Sequence, residues 1–349
     1  MNNIKTIMSG LKTKDFDFEL PVELIAQTPA DKRGEDRLLV LDRKTGVYED
    51  KLISSFVDLI DANGVLVVNN SRVRKARVFA ISETGGKVEF LFLEEMKDHT
   101  WNCMVTKAKK QRIGKKYTFD NDLHGEIVGD KEDGTKYVKF DNEISEDWFL
   151  KFGHVPLPPY IKREDSFSDE TRYQTVYAKT EGSVAAPTAG LHFTEDMMQK
   201  IRAKGVQIVE VTLHVGMGTF MPVRAEGLDD HDMHWERYSV SEETAKVIND
   251  ARKQGRKIVA TGTTSVRTLE SASKDGVLQA GLGRTNLFIK PGYKFEIVDQ
   301  LLTNFHTPES TLLVLVSAFA TKQYIFDAYQ HAVEERYHFF SYGDAMFLK

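Results

Sequence analysis

Cysteine is almost missing from this chain: Cys103 is the only one in 349 residues, which excludes an internal disulfide framework and suits a reducing compartment. It lies in the apolar run WNCMV, where a buried thiol behaving as a small hydrophobe is expected rather than a nucleophile. Long hydrophobic runs are also missing. The most apolar stretch, Leu312 to Ala320, is too short to span a bilayer, and the opening MNNIKTIMSGLKTKDFDF has no apolar leader core. A cytoplasmic protein without membrane association is therefore expected. Charge of one sign does not dominate either. A net charge of −5 does not mark a nucleic-acid binder as a whole, so local charge must decide. There is no Walker loop, GxGxxG fingerprint, HExxH pair, internal repeat or low-complexity tract, which argues against nucleoside triphosphates and NAD. No heptad or exposed apolar helix demands a partner, and a monomer is expected.

What is present describes an ordinary globular chain, 41% hydrophobic and 28% charged, able to bury a sizeable interior and long enough for two domains. VLVVN (Val65 to Asn69) reads as a buried strand. From Val73 to Trp148 the pattern becomes short strands, RVFAIS, KVEFLFL, WNCMVTKA, KYTFD, HGEIV and KYVKF, separated by turns such as Gly85-Gly86 and Asp133-Gly134. Regular short strands without helices predict a small closed antiparallel barrel. After the proline-rich HVPLPPYI the chain alternates strand and helix: Thr194 and Ser241 are expected helix caps, and KIVATGTTSVRTLESA reads strand, glycine turn, helix. NLFIK and QLLTN are expected strands, and helices are expected near 312–320 and 324–337. The predicted fold class is α/β: a mostly parallel sheet with helices (residues 1–72 and 152–349) interrupted by the small closed β unit (residues 73–151).

In α/β sheets ligands bind beyond the carboxyl ends of strands. Two turns rich in small residues, SVAAPTAGLHF and LHVGMGTFMP, carry His192 and His214, and a third strand end carries Asn304, Phe305 and His306. Glycine and alanine allow close backbone approach, and imidazole moves protons near neutral pH, so His192, His214 and His306 are acid/base candidates. One or more of them could equally be a satisfied core group. GTTS before a helix offers free N–H groups and hydroxyls for a carboxylate or phosphate, or else a simple cap. His231 and His234 stand three apart, a spacing that does not by itself make a metal site, and no metal is expected. The run Lys107 to Lys116 and the segment Arg72 to Arg77 are dense in basic residues. On residues alone the hairpin turn at Gly114 favours a solvated face over a phosphate-binding stripe.

Many long segments in one order give the chain its clearest resemblance: DFDFELPVELIAQTP, DRLLVLDR, VVNNSRV, PLPPYI, ETRYQTVYAK, SVAAPTAGLHFT, TLHVGMGTFMPV, HDMHWERY, GTTSVRTLE, TNFHTPESTLL and AVEERYHFFSYGDAM. In these it resembles the S-adenosylmethionine:tRNA ribosyltransferase-isomerases of queuosine biosynthesis. Agreement is weakest in the inserted β unit, and the fold the resemblance implies is a barrel-like α/β main domain interrupted by a small antiparallel β-barrel domain. Small departures at Val155 and Glu170 do not touch the candidate site. The resemblance implies transfer and isomerisation of the ribosyl part of S-adenosylmethionine onto the aminomethyl group of 7-aminomethyl-7-deazaguanine in a tRNA anticodon, giving epoxyqueuosine-tRNA, adenine and methionine. No cofactor is implied, because S-adenosylmethionine is consumed as a substrate. Under this resemblance Gly216, Gly218 and Thr219 are expected at the ribose or adenine. Thr263, Thr264, Ser265 and Arg267 are expected at the methionine carboxylate, and Asn304 at a ribose hydroxyl or the base edge. The implied tRNA partner adds weight to Arg74, Arg77, Lys109, Lys110, Lys115 and Lys116 as phosphate contacts.

Overall fold

The structure, a computed structural model, describes residues 10–216 and 225–349. Nine strands form one mixed sheet, in the order Gly281–Thr285, Glu236–Val240, Gln207–Leu213, Val65–Asn69, Ile258–Thr261, Gln300–Asn304, Ala345–Leu348, Arg37–Leu41, Tyr48–Leu52. Its four central strands, Gln207–Leu213 through Gln300–Asn304, run parallel. On one side, Glu236–Val240 pairs antiparallel to Gln207–Leu213. On the other, Ala345–Leu348 pairs antiparallel to Gln300–Asn304 and parallel to Arg37–Leu41. The α/β main body expected from the sequence is thus a nine-stranded sheet that keeps two edges among the described residues. The central strands Val65–Asn69 and Ile258–Thr261 are buried along their whole length, as strands covered on both faces by crossover connections must be.

Between two of these central strands in the chain lies a closed barrel of six antiparallel strands: Lys136–Phe140, Thr100–Val105, Lys87–Glu95, Arg77–Ser82, Lys116–Thr118 and His124–Asp130. They coincide with the six apolar runs read from the sequence. Alternate residues point inward and fill the interior with Phe90, Phe92, Trp101, Tyr117, Phe119 and Phe140, which leaves Cys103 buried and its thiol pKa pushed up by desolvation. The chain enters the barrel through Ser71–Val73 and, on its return, Thr180–Ser183 pairs parallel to that strand. This pairing delivers the small-residue segment beginning at Ser183 to the edge of the large sheet.

Thr194 and Ser241 cap the helices Glu195–Ala203 and Glu242–Lys253 by accepting from the backbone N–H groups of Met197 and Thr244. NLFIK does not form a strand. Its apolar residues pack irregularly on the core, with the Leu287 N–H held by the Thr285 hydroxyl, while the neighbouring Gly281–Thr285 supplies the edge strand through backbone pairing alone. Apolarity marked burial there, not extended geometry.

Asn69 is fully buried and ties two central strands at the edge where the parallel strands end. Its Nδ2 donates to the Leu213 carbonyl at 3.0 Å, and its Oδ1 accepts from the N–H groups of Leu213 and Ser71 at 3.0 and 3.1 Å. Asn69→Ala would strand these buried backbone groups. It is expected to lower stability by about 2–4 kcal/mol in urea unfolding, without loss of secondary structure in the native baseline.

Candidate active site

The strands Ile258–Thr261 and Gln300–Asn304 lie side by side and end at the same edge. Gly262 comes directly after the first with φ +80°, a left-handed turn that only glycine adopts freely, and opens the helix Gly262–Ser271. No side chain caps that helix, so its first-turn N–H groups are left for another partner. The turn Ala186 to Ala189 faces them. Between these elements sits a cavity of about 230 Å³, walled by that turn, by Thr263 and Thr264, by Thr303 to Pro308, and by Tyr160, Phe340 and Ser341. Most of its surface is apolar. Thr264 Oγ1 and Asn304 Oδ1, on residues that line it, are buried without a hydrogen-bond partner, as is the Thr261 hydroxyl just before Gly262. Such atoms in a native site ask for a ligand donor or acceptor.

The three histidines do not share one cavity. His306 lines it, 7% exposed, with Nε2 3.0 Å from the Thr303 hydroxyl and its backbone N–H donating to the Tyr329 hydroxyl at 3.0 Å. Burial depresses its pKa from 6.5 to about 3, so the ring is neutral at physiological pH and cannot supply an imidazolium proton. His192 stands behind the cavity wall, its Nδ1 2.7 Å from Asp36 Oδ2 and its Nε2 3.2 Å from Asn304 Nδ2. It is therefore hydrogen-bonded to a cavity-lining residue and does not itself line the cavity. His214 is half-buried beyond Val215, against Gly182, where φ is +123° and a Cβ would come within 3.2 Å of the imidazole. Burial first, then the charges of Arg237 and Arg74, lower its pKa.

The residues expected to bind substrate divide in the same way. Thr263, Thr264 and Asn304 line the cavity. Ser265 does not: its hydroxyl donates to the Thr261 carbonyl at 2.7 Å, within the helix. Arg267 does not either, because its guanidinium is buried in an ion pair with Glu236 and donates from Nε to the Leu287 carbonyl at 3.2 Å. The Gly216 N–H donates to the same Glu236 carboxylate at 2.9 Å, which places that glycine beside the ion pair rather than on the cavity wall. Gly218 and Thr219 lie outside the described residues.

Of the basic residues, Lys109, Lys110, Lys115 and Lys116 are exposed on the barrel, with Lys116 3.9 Å from Glu126. Arg74 and Arg77 are ion-paired. Arg74 pairs with Glu146 and lies over the rings of Trp101 and Phe149, and Arg77 pairs with Glu89 at 3.1 Å. Both pin the barrel at its root instead of presenting free charge. Among the described residues no group of three or more His, Cys, Asp or Glu side chains could hold a metal, and His231 instead packs edge-on against Phe288.

Asp36, Phe340 and Ser341 were not anticipated, and strand direction explains why. Ala345–Leu348 runs against Gln300–Asn304 and Arg37–Leu41 runs with it, so residues preceding these two strands reach the edge where the parallel strands end. A search confined to the residues after each apolar run passes over them. The Asp immediately before the apolar run RLLVL was the available signal.

The family described as "Queuosine biosynthesis protein" matches residues 13–348. The chain belongs to that family, and it is an enzyme. A relative from Treponema denticola named S-adenosylmethionine:tRNA ribosyltransferase-isomerase is 52% identical over 344 residues, 96% of this chain and 99% of that protein. A crystal structure of S-adenosylmethionine tRNA ribosyltransferase from Thermotoga maritima is 36% identical, covers 96% of this chain and all of its own, and superposes with a TM-score of 0.56. Among the described residues no helix is long and apolar enough to cross a membrane.

His306 gives this site a measurable pH signature. Its folded pKa lies below the unfolded value, so between pH 6.5 and about 3 the unfolded chain binds a proton that the folded chain refuses, and stability falls as pH falls through that window. His306→Gln should flatten this part of the stability profile while leaving neutral-pH stability close to wild type. Equal acid slopes in wild type and variant, measured by urea unfolding at stepped pH, would contradict the neutral buried ring.

Proposed function

We propose that this enzyme transfers and isomerises the ribosyl group of S-adenosylmethionine onto the aminomethyl group of 7-aminomethyl-7-deazaguanine in tRNA, releasing adenine and methionine and leaving epoxyqueuosine-tRNA. The observation that carries the reading is the apolar cavity at the parallel strand ends, with an uncapped helix N-terminus and unpaired Thr264 and Asn304 side-chain oxygens, in a chain of the queuosine family. A nucleoside with an attached amino acid needs both halves of such a site: apolar walls for the purine and ribose, and N–H donors for the carboxylate. With Arg267 committed to Glu236, the carboxylate falls to Thr263, Thr264 and the first-turn N–H groups.

The sulfonium acidifies the C5′ protons beside it, so one step of the reaction needs a base and another needs a proton on departing adenine. A neutral imidazole is the form a base requires. His306 is assigned that role by its place on the cavity wall, and its burial takes away the acid one. His214, whose buried Nδ1 has no hydrogen-bond partner and whose burial favours the neutral ring, is the group assigned to the ammonium proton of the incoming aminomethyl base. The anticodon loop is single-stranded, so its modified base can be splayed into the cavity at low energetic cost. S-adenosylmethionine serves as a substrate and no cofactor is required.

Incubation with S-adenosylmethionine and precursor tRNA, then nucleoside mass analysis, should show adenine, methionine and an epoxyqueuosine nucleoside. Release of S-adenosylhomocysteine with a methylated nucleoside would instead identify a tRNA methyltransferase. His306→Ala should lower kcat by roughly 100-fold or more, the usual loss for a group that moves a proton. Near-normal turnover in both His306→Ala and His214→Ala would remove histidines from the proton transfers.

The exposed lysines support the barrel as the tRNA-facing surface. Replacing Lys109, Lys110, Lys115 and Lys116 together by Gln is expected to raise the KM for tRNA and flatten its salt dependence, with the KM for S-adenosylmethionine unchanged. An unaltered tRNA KM across salt concentrations would assign these lysines to solvent.

A further inference from the structure

The amide of Asn304 is oriented by its neighbours. Its Nδ2 donates to the Phe340 carbonyl at 3.1 Å, and a carbonyl oxygen only accepts, so the amide nitrogen and oxygen cannot be exchanged. The same nitrogen lies 3.2 Å from His192 Nε2, which must then be the ring nitrogen without a proton. The imidazole proton is left on Nδ1, where Asp36 Oδ2 accepts it at 2.7 Å. His192 and Asn304 are 3% and 2% exposed, so water does not compete for these bonds. One polar atom of Asn304, Oδ1, remains without a protein partner, on a residue that lines the cavity.

We propose that Asp36 and His192 are positioning residues: by fixing the His192 tautomer they hold Asn304 with its amide oxygen, not its nitrogen, available to the bound nucleoside. That oxygen accepts a hydrogen bond from an N–H or O–H of the ligand, supplied by either the purine amino group or a ribose hydroxyl. The proposal rests on the cavity being the seat of S-adenosylmethionine. If the ring proton sat on Nε2, two donors would oppose each other. The amide would then have to turn, abandon the Phe340 carbonyl and present NH₂ to the ligand. The negative charge of Asp36 selects against that state, since a carboxylate favours a donor at Nδ1.

The tautomer is read directly by ¹⁵N NMR of imidazole-labelled protein, and its consequence by calorimetry with adenosine, inosine and 2′-deoxyadenosine. In wild type, His192 Nε2 should resonate as an unprotonated nitrogen, and one of the two analogues should bind more weakly than adenosine, identifying the donor that Asn304 recognises. Asp36→Asn, nearly isosteric, should mix the tautomers and weaken adenosine about tenfold, the worth of one hydrogen bond, while leaving the affinity of that analogue unchanged. His192→Ala should weaken adenosine similarly. His192→Gln, whose side-chain oxygen can accept from Asn304 Nδ2, should restore it and serves as the test if Asp36→Asn does not fold. A proton on Nε2 in wild type overturns the proposal, as does an equal loss for all three ligands, which is the mark of a merely structural role. Failure of wild type to bind adenosine while Nε2 remains unprotonated would instead overturn the functional reading of the cavity, and with it the ligand half of the proposal.

Discussion

The hydrogen-bond ladders on the two sides of Gln300–Asn304 run in opposite senses, and the candidate site depends on that reversal. On one side the strand pairs parallel with Ile258–Thr261, so two carboxyl ends lie together and the turns after them, Gly262 and Phe305, leave the sheet side by side. On the other it pairs antiparallel with Ala345–Leu348, which brings the lead-in residues Phe340 to Asp344 to the same edge. A fully parallel sheet would have sent those residues to the opposite end. Asn304, at the last position of the strand, is therefore within reach of a carbonyl that precedes one neighbour and an imidazole carried by the segment that covers the other. The register of the ladder, more than any single side chain, brings these groups together.

Desolvation then sorts the groups by charge. The apolar enclosure that keeps His306 neutral also raises the energetic cost of any unpaired cation nearby, and the buried Arg267 accordingly takes Glu236 as its partner. The same low polarity strengthens the few dipoles left unpaired, the first-turn N–H groups of Gly262–Ser271 and the oxygens of Thr264 and Asn304. The amino-acid end of the proposed ligand brings its own ammonium and carboxylate into the site, so neutral dipoles and a helix terminus suit that end better than a fixed guanidinium.

Much of this was legible in the sequence, and what was missed has a physical cause. The six barrel strands were visible because the barrel wall alternates a packed interior with solvent, a period of two that composition cannot hide. The turn SVAAPTAG and the GTTS segment were visible because small residues and hydroxyls after apolar runs are uncommon except where backbone approaches something. Arg267 was misread because helix phase decides direction: five residues beyond Gly262, its side chain faces Glu236 across the core and not the cavity. His192 lies one layer behind the cavity, since a 3₁₀ turn over Thr188–His192 gives Ala189 to the cavity and turns the imidazole toward Asp36, a direction the sequence does not display. Gly281–Thr285 was invisible because an edge strand held by backbone pairing needs no apolar side chains.

The barrel's charges obey an equally simple rule of partners. At its root, barrel residues pair with opposite charges from the main body: Lys75 with Glu170 at 2.6 Å, Arg77 with Asp165 at 3.8 Å, and Glu94 with Arg237. Cations committed in this way are poor phosphate ligands, because binding an anion would first require giving up a carboxylate already in contact. At the exposed end the lysines between Lys107 and Lys116 have, beyond the distant Glu126, no carboxylate partner among the described residues. A polyanion that approaches the barrel gains most where charge is uncommitted. The ion pairs at the root hold the barrel on the sheet, while the charge of the lysines between Lys107 and Lys116 stays uncommitted.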